Sequence, residues 1–240
     1  MILTIATCKG GTAKSTTAAA LAQAADYRGR RCLAIDLDPQ GNLSYFLAAD
    51  LNQAGAFELL NGEPATIQPT EWGPDVIAAS WSLQTITSSR GSARRLQTAL
   101  EPLKRQYDLI IIDTPPTAGE LQYNALMAST DLIIPLQADI VGLQGLYQMA
   151  DTARQIMRSN KALRLTGYIL TRHSGRSKLA QQMAATIEAQ AGIPFLMAIR
   201  EAVAIREAQA LQQSLYQYAP NSKPAQDYLA LYDQLTKGER

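Results

Sequence analysis

Lys9 and Lys14 enclose Gly10, Gly11, Thr12 and Ala13, and Ser15 and Thr16 follow at once. Ahead of them runs the apolar, β-branched stretch 2–6, and behind them the alanine-rich helix former 16–25 begins. A strand that ends in a glycine-rich loop and re-enters as a helix gathers backbone N–H groups and a helix N-terminus on one point, which suits phosphate. Gly10 and Gly11 let the backbone approach an anion, Lys14 is placed to reach terminal phosphates, and the Ser15 hydroxyl suits Mg²⁺. The strict phosphate-loop pattern is broken at both of its glycines, by Cys8 and Ala13.

Two further motifs supply carboxylates. In 35–42, Asp36 and Asp38 follow a buried-looking run at i and i+2, where one can order a metal-bound water and the other polarise an attacking water. An Asp-Pro turn that merely ends a strand would look the same. In 109–116, Asp113 stands at the tip of the run Leu109-Ile110-Ile111-Ile112 and precedes Thr114-Pro115-Pro116. That is the Walker B arrangement, in which an acid reaches Mg²⁺ through water, although strand-end acids also serve as caps. Three strand ends in order, each offering a group that nucleotide hydrolysis needs, argue more strongly than any one of them.

The elements that must position these groups alternate. Near-continuous apolar runs at 2–6, 32–35, 76–79, 109–112, 132–135 and 167–170 read as strands buried on both faces. Helical spacing over 15–27, 92–105, 143–158, 177–191 and 224–235 separates them. The pattern predicts a single α/β domain over 1–240, a mostly parallel twisted sheet with helices on both faces and its ligand at the carboxyl ends of the strands. Residues 47–72, rich in Gly and Pro, predict short helices and loops. Trp72 and Trp81 flank the third run, and packing is the expected role of both.

Composition narrows the class. The 240 residues, 47% of them hydrophobic, can bury one sizeable core. Cys8 and Cys32 are expected to be buried, reduced thiols, with no signal peptide and no apolar run long enough to span a bilayer. The formal net charge of +1 hides an asymmetry: 154–206 carries nine Lys/Arg against two acids, a net +7 that leaves −6 for the remainder. Such a segment is either a nucleic-acid footprint or a set of solvated helix faces.

The chain resembles the ParA/Soj partition ATPases, members of the deviant Walker A group that also holds the MinD division-site ATPases. The resemblance rests on 9–16 as K-G-G-x-G-K-[ST]-T with Ala13 in place of the glycine, on Asp36-Leu37-Asp38-Pro39-Gln40-Gly41-Asn42, on 112–116, and on the closing segments 199–208 and 218–225. It covers nearly the whole chain and matches the short members, which lack an N-terminal DNA-reading extension. It implies a P-loop NTPase fold with ATP and Mg²⁺ as cofactors. Lys9 becomes the signature lysine that reaches the partner protomer's ATP, Lys14 the lysine serving its own chain's phosphates, Ser15 the Mg²⁺ ligand, and Asp36 and Asp113 supports of the metal's water shell. Asp38 positions or activates the attacking water. An ATP-bound homodimer, non-specific DNA bound through Arg172, Arg176, Lys178, Arg200 and Arg206, a ParB-like centromere-binding partner and a cytoplasmic, nucleoid-associated location complete the expectation. Ala13 stands where a positive φ is needed, so weaker nucleotide handling and a gain on Ala13→Gly are expected.

Other classes fit less well. A membrane-oscillating relative needs a basic amphipathic C-terminal helix, whereas 224–235 is a tyrosine-bearing packing helix followed by mixed charge. An iron–sulfur reductase needs cysteines that Cys8 and Cys32 do not supply. A kinase reading of Tyr216, Tyr218, Tyr228 and Tyr232 yields to core and interface packing, and His173 has no second histidine with which to hold a metal. A small-molecule ligase of the same fold, similar to dethiobiotin synthetase, and a weakly hydrolysing nucleotide-gated regulator remain as alternatives.

Overall fold

The computed structural model describes residues 1–71, 73–88, 92–173 and 178–237, with the backbone alone at 178–181 and 190. Runs without charge in their interiors become strands covered on both sides: β1 (Ile2–Ile5), β2 (Cys32–Asp36), β4 (Leu109–Asp113) and β5 (Asp131–Leu136) are buried at every position. With β3 (Asp75–Ile77), β6 (Arg164–His173) and β7 (Phe195–Arg200) they form a seven-stranded parallel sheet in the order β3-β2-β4-β1-β5-β6-β7. Such continuous burial is what crossover helices on both faces impose.

The connecting helices are α1 (Lys14–Tyr27), α2 (Asn42–Phe46), α3 (Ala56–Asn61), α4 (Arg95–Leu100), α5 (Glu120–Ala128), α6 (Ile140–Ile156), α7 (Lys178–Ala191), α8 (Val203–Ala210), α9 (Leu215–Tyr218) and α10 (Lys223–Leu235). Alternate strand residues divide the core. Leu3, Ile5, Ala34 and Ile111 pack against α1, α9 and α10, while Leu33, Ile35, Ile110 and Ile112 face α3, α4 and α5. Leu132, Ile134, Tyr168 and Leu170 meet α5, α6 and α7 on the latter side. The α10 helix starts cleanly, because Ser222 accepts the Ala225 N–H and Pro224 occupies its first turn.

Topology then assembles the site. The β1–α1–β2 and β4–α5–β5 crossovers leave in opposite directions across the sheet, so a crevice opens at the carboxyl ends of the central strands. There β4 lies between β1 and β2, with Asp113 in register with Ile5 on one side and Asp36 on the other.

The alternating architecture is as expected, and three local expectations change. The seventh strand, β7, was not anticipated; it is an edge strand, only partly buried, whose run Phe195–Arg200 is short and ends in a charge. The helix expected over 92–105 is a 3₁₀ turn, Ser92–Arg94, followed by α4, which ends before Pro102. Trp81 is not a core residue: it opens a 3₁₀ turn, Trp81–Thr85, in which only Leu83 turns inward, and it is 68% exposed. Trp72 lies outside the described residues. Residues 47–71 hold α3 and one antiparallel bridge, Gln68 to Val76, without a strand. Tyr216, Tyr228 and Tyr232 are buried, and Tyr218 is partly exposed. No helix among the described residues is long and apolar enough to cross a membrane.

Candidate phosphate and metal site

The loop from Lys9 to Ala13 owes its shape to bonds within the chain. Gly11 and Ala13 both adopt left-handed backbone, with φ of 74° and 65°, and the Ala13 carbonyl accepts the Thr17 N–H at 2.9 Å to start α1. From outside, the Gln137 side-chain amide donates to the Gly11 carbonyl at 2.8 Å and the Thr171 hydroxyl donates to the Thr12 carbonyl at 3.1 Å. With the carbonyls drawn outward, the N–H groups are left to converge as an anion nest at the start of α1.

Within that nest Lys14 is buried. Desolvation lowers its pKa from the ordinary lysine value, and the neighbouring Asp113, Asp38 and Cys8 resist the shift. Asp113, beside the Ser15 hydroxyl, is fully buried. Burial and the nearby Asp36 push the Asp113 carboxyl well above the usual range. One Asp113 oxygen accepts the Thr114 N–H at 3.1 Å and the other has no partner. An orphaned buried carboxylate oxygen beside a serine hydroxyl fits Mg²⁺, which takes few protein ligands and keeps its waters. Among the described residues no three acidic, histidine or cysteine side chains cluster as a self-sufficient metal site.

The two carboxylates after β2 are used differently. Asp36 is fully buried and its oxygens are already occupied: one accepts the Asp38 N–H at 3.0 Å, the other the Ser44 N–H and hydroxyl, each at 2.8 Å. Ser44 in turn accepts the Ala79 N–H at 2.9 Å, so Asp36 ties the β2 loop to α2 and to the end of β3. Burial raises its pKa to about 6 against those bonds. Asp38 is 6% exposed, and one of its oxygens accepts the Gln40 N–H at 3.0 Å. Cys8 is half-buried, its thiol pushed up by desolvation, and Cys32 is buried.

Lys9 turns away from its own loop. Its ammonium donates to both oxygens of Asp139, at 2.9 and 2.7 Å, and Asp139 also accepts the Gly142 N–H at 2.6 Å as the N-cap of α6. The bond from Lys9, with help from Gly142, holds the Asp139 carboxyl below the usual range. Close packing makes the pairing possible: a Cβ on Gly145 would stand 3.6 Å from the Lys9 Cβ, and one on Gly142 only 2.4 Å from the Gln137 carbonyl. Ile140 and Val141 follow, 77% and 56% exposed. Neither Gln137 nor Asp139 was anticipated, although both stand just past the fifth apolar run, where the strand-end argument applied to Lys9, Asp36 and Asp113 also leads.

The basic candidates gather beside the same loop. Arg172, Arg200 and Arg206 line a cavity of about 80 Å³ together with Ala13 and Thr16. Arg172 is exposed with φ 53°, and Arg206 is exposed, 4.0 Å from Glu201. Arg200 is engaged, donating through Nε to Asp227 at 2.9 Å, and its backbone N–H meets the same carboxylate. Lys178 is the first residue of α7, and Arg176 lies outside the described residues.

An anion nest, a serine and an aspartate whose chemistry fits Mg²⁺, and a carboxylate beside them, on the carboxyl edge of a parallel sheet, define a P-loop nucleotide-binding protein. The family described as AAA domain matches residues 1–165. The chain is 33% identical to the chromosome-partitioning ATPase Soj of Thermus thermophilus, over 97% of this chain and 94% of that protein. Among solved structures it is similar to cobyrinic acid a,c-diamide synthase of Mycobacterium smegmatis with bound ATP analogue and magnesium, with a TM-score of 0.86 and 28% identity over 99% and 95% of the two chains. It is also similar to the septum site-determining protein MinD of Pyrococcus horikoshii complexed with Mg-ADP, with a TM-score of 0.82 and 26% identity over 99% and 96%. The chain belongs to the AAA-domain family, in its ParA/Soj branch of partition ATPases.

Proposed function

We propose that this chain is an ATP-driven DNA-partition switch: ATP joins two protomers face to face, the dimer binds DNA without reading sequence, and hydrolysis stimulated by a ParB-like centromere-binding partner releases it. The observation that carries this reading is the unequal treatment of two lysines on one loop. Lys14 is buried beside Asp113 and Asp38, whereas Lys9 is partly exposed and ion-paired with a carboxylate 130 residues away. A lysine serving its own chain's phosphates belongs in the nest. One serving a neighbour's phosphates needs a holding partner until the neighbour arrives.

In this reading Lys14 and the loop N–H groups bind the phosphates, and Asp38, set in place by Asp36 and the Gln40 N–H, orients the attacking water. Ser15 and Asp113 would hold Mg²⁺, which would supply charge neutralisation on the phosphates. Arg172 and Arg206, with Arg176 and Lys178, form the DNA face, while Arg200 is spent on Asp227 and braces it. DNA binding makes the protein cytoplasmic and nucleoid-associated.

The likeness to cobyrinic acid a,c-diamide synthase favours a second reading, an ATP-dependent enzyme acting on a carboxylic acid. The cavity beside Asp38, about 480 Å³, argues against it: Asp38 and Glu120 line it with no lysine or arginine among its described lining residues. Such a lining repels a carboxylate acceptor and leaves water as the acceptor.

Sedimentation of the wild type and Lys9→Ala with ATP and with ADP tests the switch. The wild type is expected to dimerise with ATP alone, and Lys9→Ala to keep nucleotide binding within a few-fold while losing the dimer. A stable ATP dimer of Lys9→Ala removes the trans role. Turnover should be slow and rise with DNA; brisk turnover that saturates with a small acid and ignores DNA selects the second reading.

A further inference from the structure

At the pole opposite the phosphate loop, the amino ends of β2 and β4 meet the last turns of α1 and α10 around a cavity of about 360 Å³. Arg28 closes α1 there, Arg30 stands in the turn that enters β2, Asp108 precedes β4, and Tyr232 and Asp233 come from α10. One wall is neutralised within the chain, because Arg28 donates to both oxygens of Asp233, at 3.0 and 2.5 Å. The other charged groups are unspent. The Arg30 guanidinium has neither a hydrogen bond nor an ion pair among the described residues. Asp108 accepts the Arg31 N–H at 2.9 Å through one oxygen, and its second oxygen has no partner among the described residues. Tyr232 lines the same cavity at 5% exposure, and its hydroxyl also lacks a hydrogen-bond partner among the described residues. Burial raises that phenol above the ordinary tyrosine value, so at neutral pH it is an O–H donor.

We infer that this cavity binds a free α-amino acid, whose carboxylate takes the Arg30 guanidinium and the Tyr232 hydroxyl and whose ammonium takes the open oxygen of Asp108. A buried hydroxyl without a partner is costly, and a ligand acceptor relieves that cost. With Arg28 and Asp233 bound to each other, one cation and one carboxylate remain free, and together they select against a ligand of a single charge. An inorganic anion suits Arg30 but meets Asp108, and a simple cation suits Asp108 but meets Arg30. A zwitterion satisfies both with charge-assisted bonds. The volume lies within the roughly 300–1,000 Å³ of small-molecule sites, which leaves room for a side chain beside the charged end. The site shares no residue with the phosphate loop, and it stands whether or not the partition-switch reading does.

Saturation-transfer NMR and calorimetry on the full chain, with the standard free L-amino acids offered one at a time, test the inference. At least one is expected to bind saturably at millimolar concentration or below. Its N-acetyl derivative, without the ammonium, and its amide, without the carboxylate, should each bind about tenfold or more weakly. Tyr232→Phe keeps the buried ring and removes only the hydroxyl, and it should weaken the amino acid about tenfold. Arg30→Gln, at an exposed position that tolerates change, should do the same, while both variants keep the wild-type affinity for ATP. Asp108→Asn keeps an acceptor for the Arg31 N–H; it should weaken the amino acid but leave the affinity of its N-acetyl derivative unchanged, a split that no merely structural role for Asp108 produces. Absence of saturable binding by any amino acid overturns the site, as does binding that survives both Tyr232→Phe and Arg30→Gln. Equal binding of the N-acetyl derivative, or tighter binding of inorganic phosphate, overturns it too, by making the cavity an anion site.

Discussion

Two halves of one phosphate loop are treated differently by the rest of the molecule. The Lys14 half is finished within the chain: lysine and aspartate are buried beside a half-buried serine, with opposing charges near enough to act on one another. The Lys9 half is provisional, an ion pair whose partners are 22% and 44% exposed, at the foot of a helix whose first two residues are apolar and bare. Buried groups cannot wait for a partner, because an unpaired buried charge costs several kcal/mol. Exposed ones can, because water and a weak ion pair hold them cheaply.

That contrast predicts unequal losses. Lys14→Ala removes a buried cation from phosphate and from two buried acids, so nucleotide affinity should fall by roughly 10² to 10³, from truncating one partner of a desolvated charge pair. Titration calorimetry of the variant against the wild type measures it. A loss under tenfold would mean that the buried half is not where phosphate binds.

The next effect is in pH. Asp36 titrates near 6 and Asp113 is raised as well, so the folded chain retains protons that free carboxylates would have lost. Metal binding favours the ionised Asp113 and must expel a proton. The affinity for Mg²⁺ and nucleotide should therefore weaken, by up to about tenfold per unit, as pH falls through the range where the raised Asp113 takes up its proton. Linkage gives the opposite sign for the metal-free fold: stability is fully present below about pH 4 and is lost as pH rises through 6. Binding enthalpies in buffers of different ionisation heat count the proton. Identical enthalpies would remove the metal from Asp113. Asp139, whose carboxyl is held below the usual range, should contribute nothing to this titration.

A smaller effect separates the provisional half. Asp139→Asn keeps an acceptor for the Gly142 N–H and removes the charge that holds Lys9. An ion pair this exposed is worth about 0.5 kcal/mol. Two are released per dimer, so the ATP dimer should tighten about fivefold with little change in monomer nucleotide affinity. Sedimentation over a concentration series reads this, and a weakened dimer would show that Asp139 supports the assembly.

What could be seen from the amino acids alone follows the same division. The central strands were legible because burial on both faces leaves uncharged runs, and the Lys14 half was legible because its groups sit at consecutive strand ends. Asp139 and Gln137 were not, since an ion pair between positions 9 and 139 leaves no periodic trace. Arg200 illustrates the point: its charge marked it for DNA, but Asp227, on α10, pairs with it. Trp81 was misjudged because size predicts burial on average, and the first residue of a short 3₁₀ turn that buries only Leu83 is where the average fails.

The smallest effect concerns the residue between the halves. Ala13 holds φ 65°, a left-handed conformation that costs a residue with a Cβ about 1 kcal/mol. Weaker nucleotide handling follows only if the loop adopts that conformation on binding. Three bonds within the chain already impose it: Thr17 N–H to the Ala13 carbonyl, Thr171 to Thr12 and Gln137 to Gly11. The strain is therefore a cost of folding, shared by free and bound protein, and cancels from affinity. Ala13→Gly should change ATP affinity less than about twofold and raise stability by roughly 0.5 kcal/mol, the relief of about 1 kcal/mol being offset in part by glycine's larger unfolded-state entropy. For a chain of 240 residues that is a rise in Tm of about 1 to 2 °C. Thermal melts and calorimetry on the two proteins decide the matter. An affinity gain of tenfold without a rise in Tm would show that nucleotide, and not Gln137 and Thr171, forces Ala13 into its conformation.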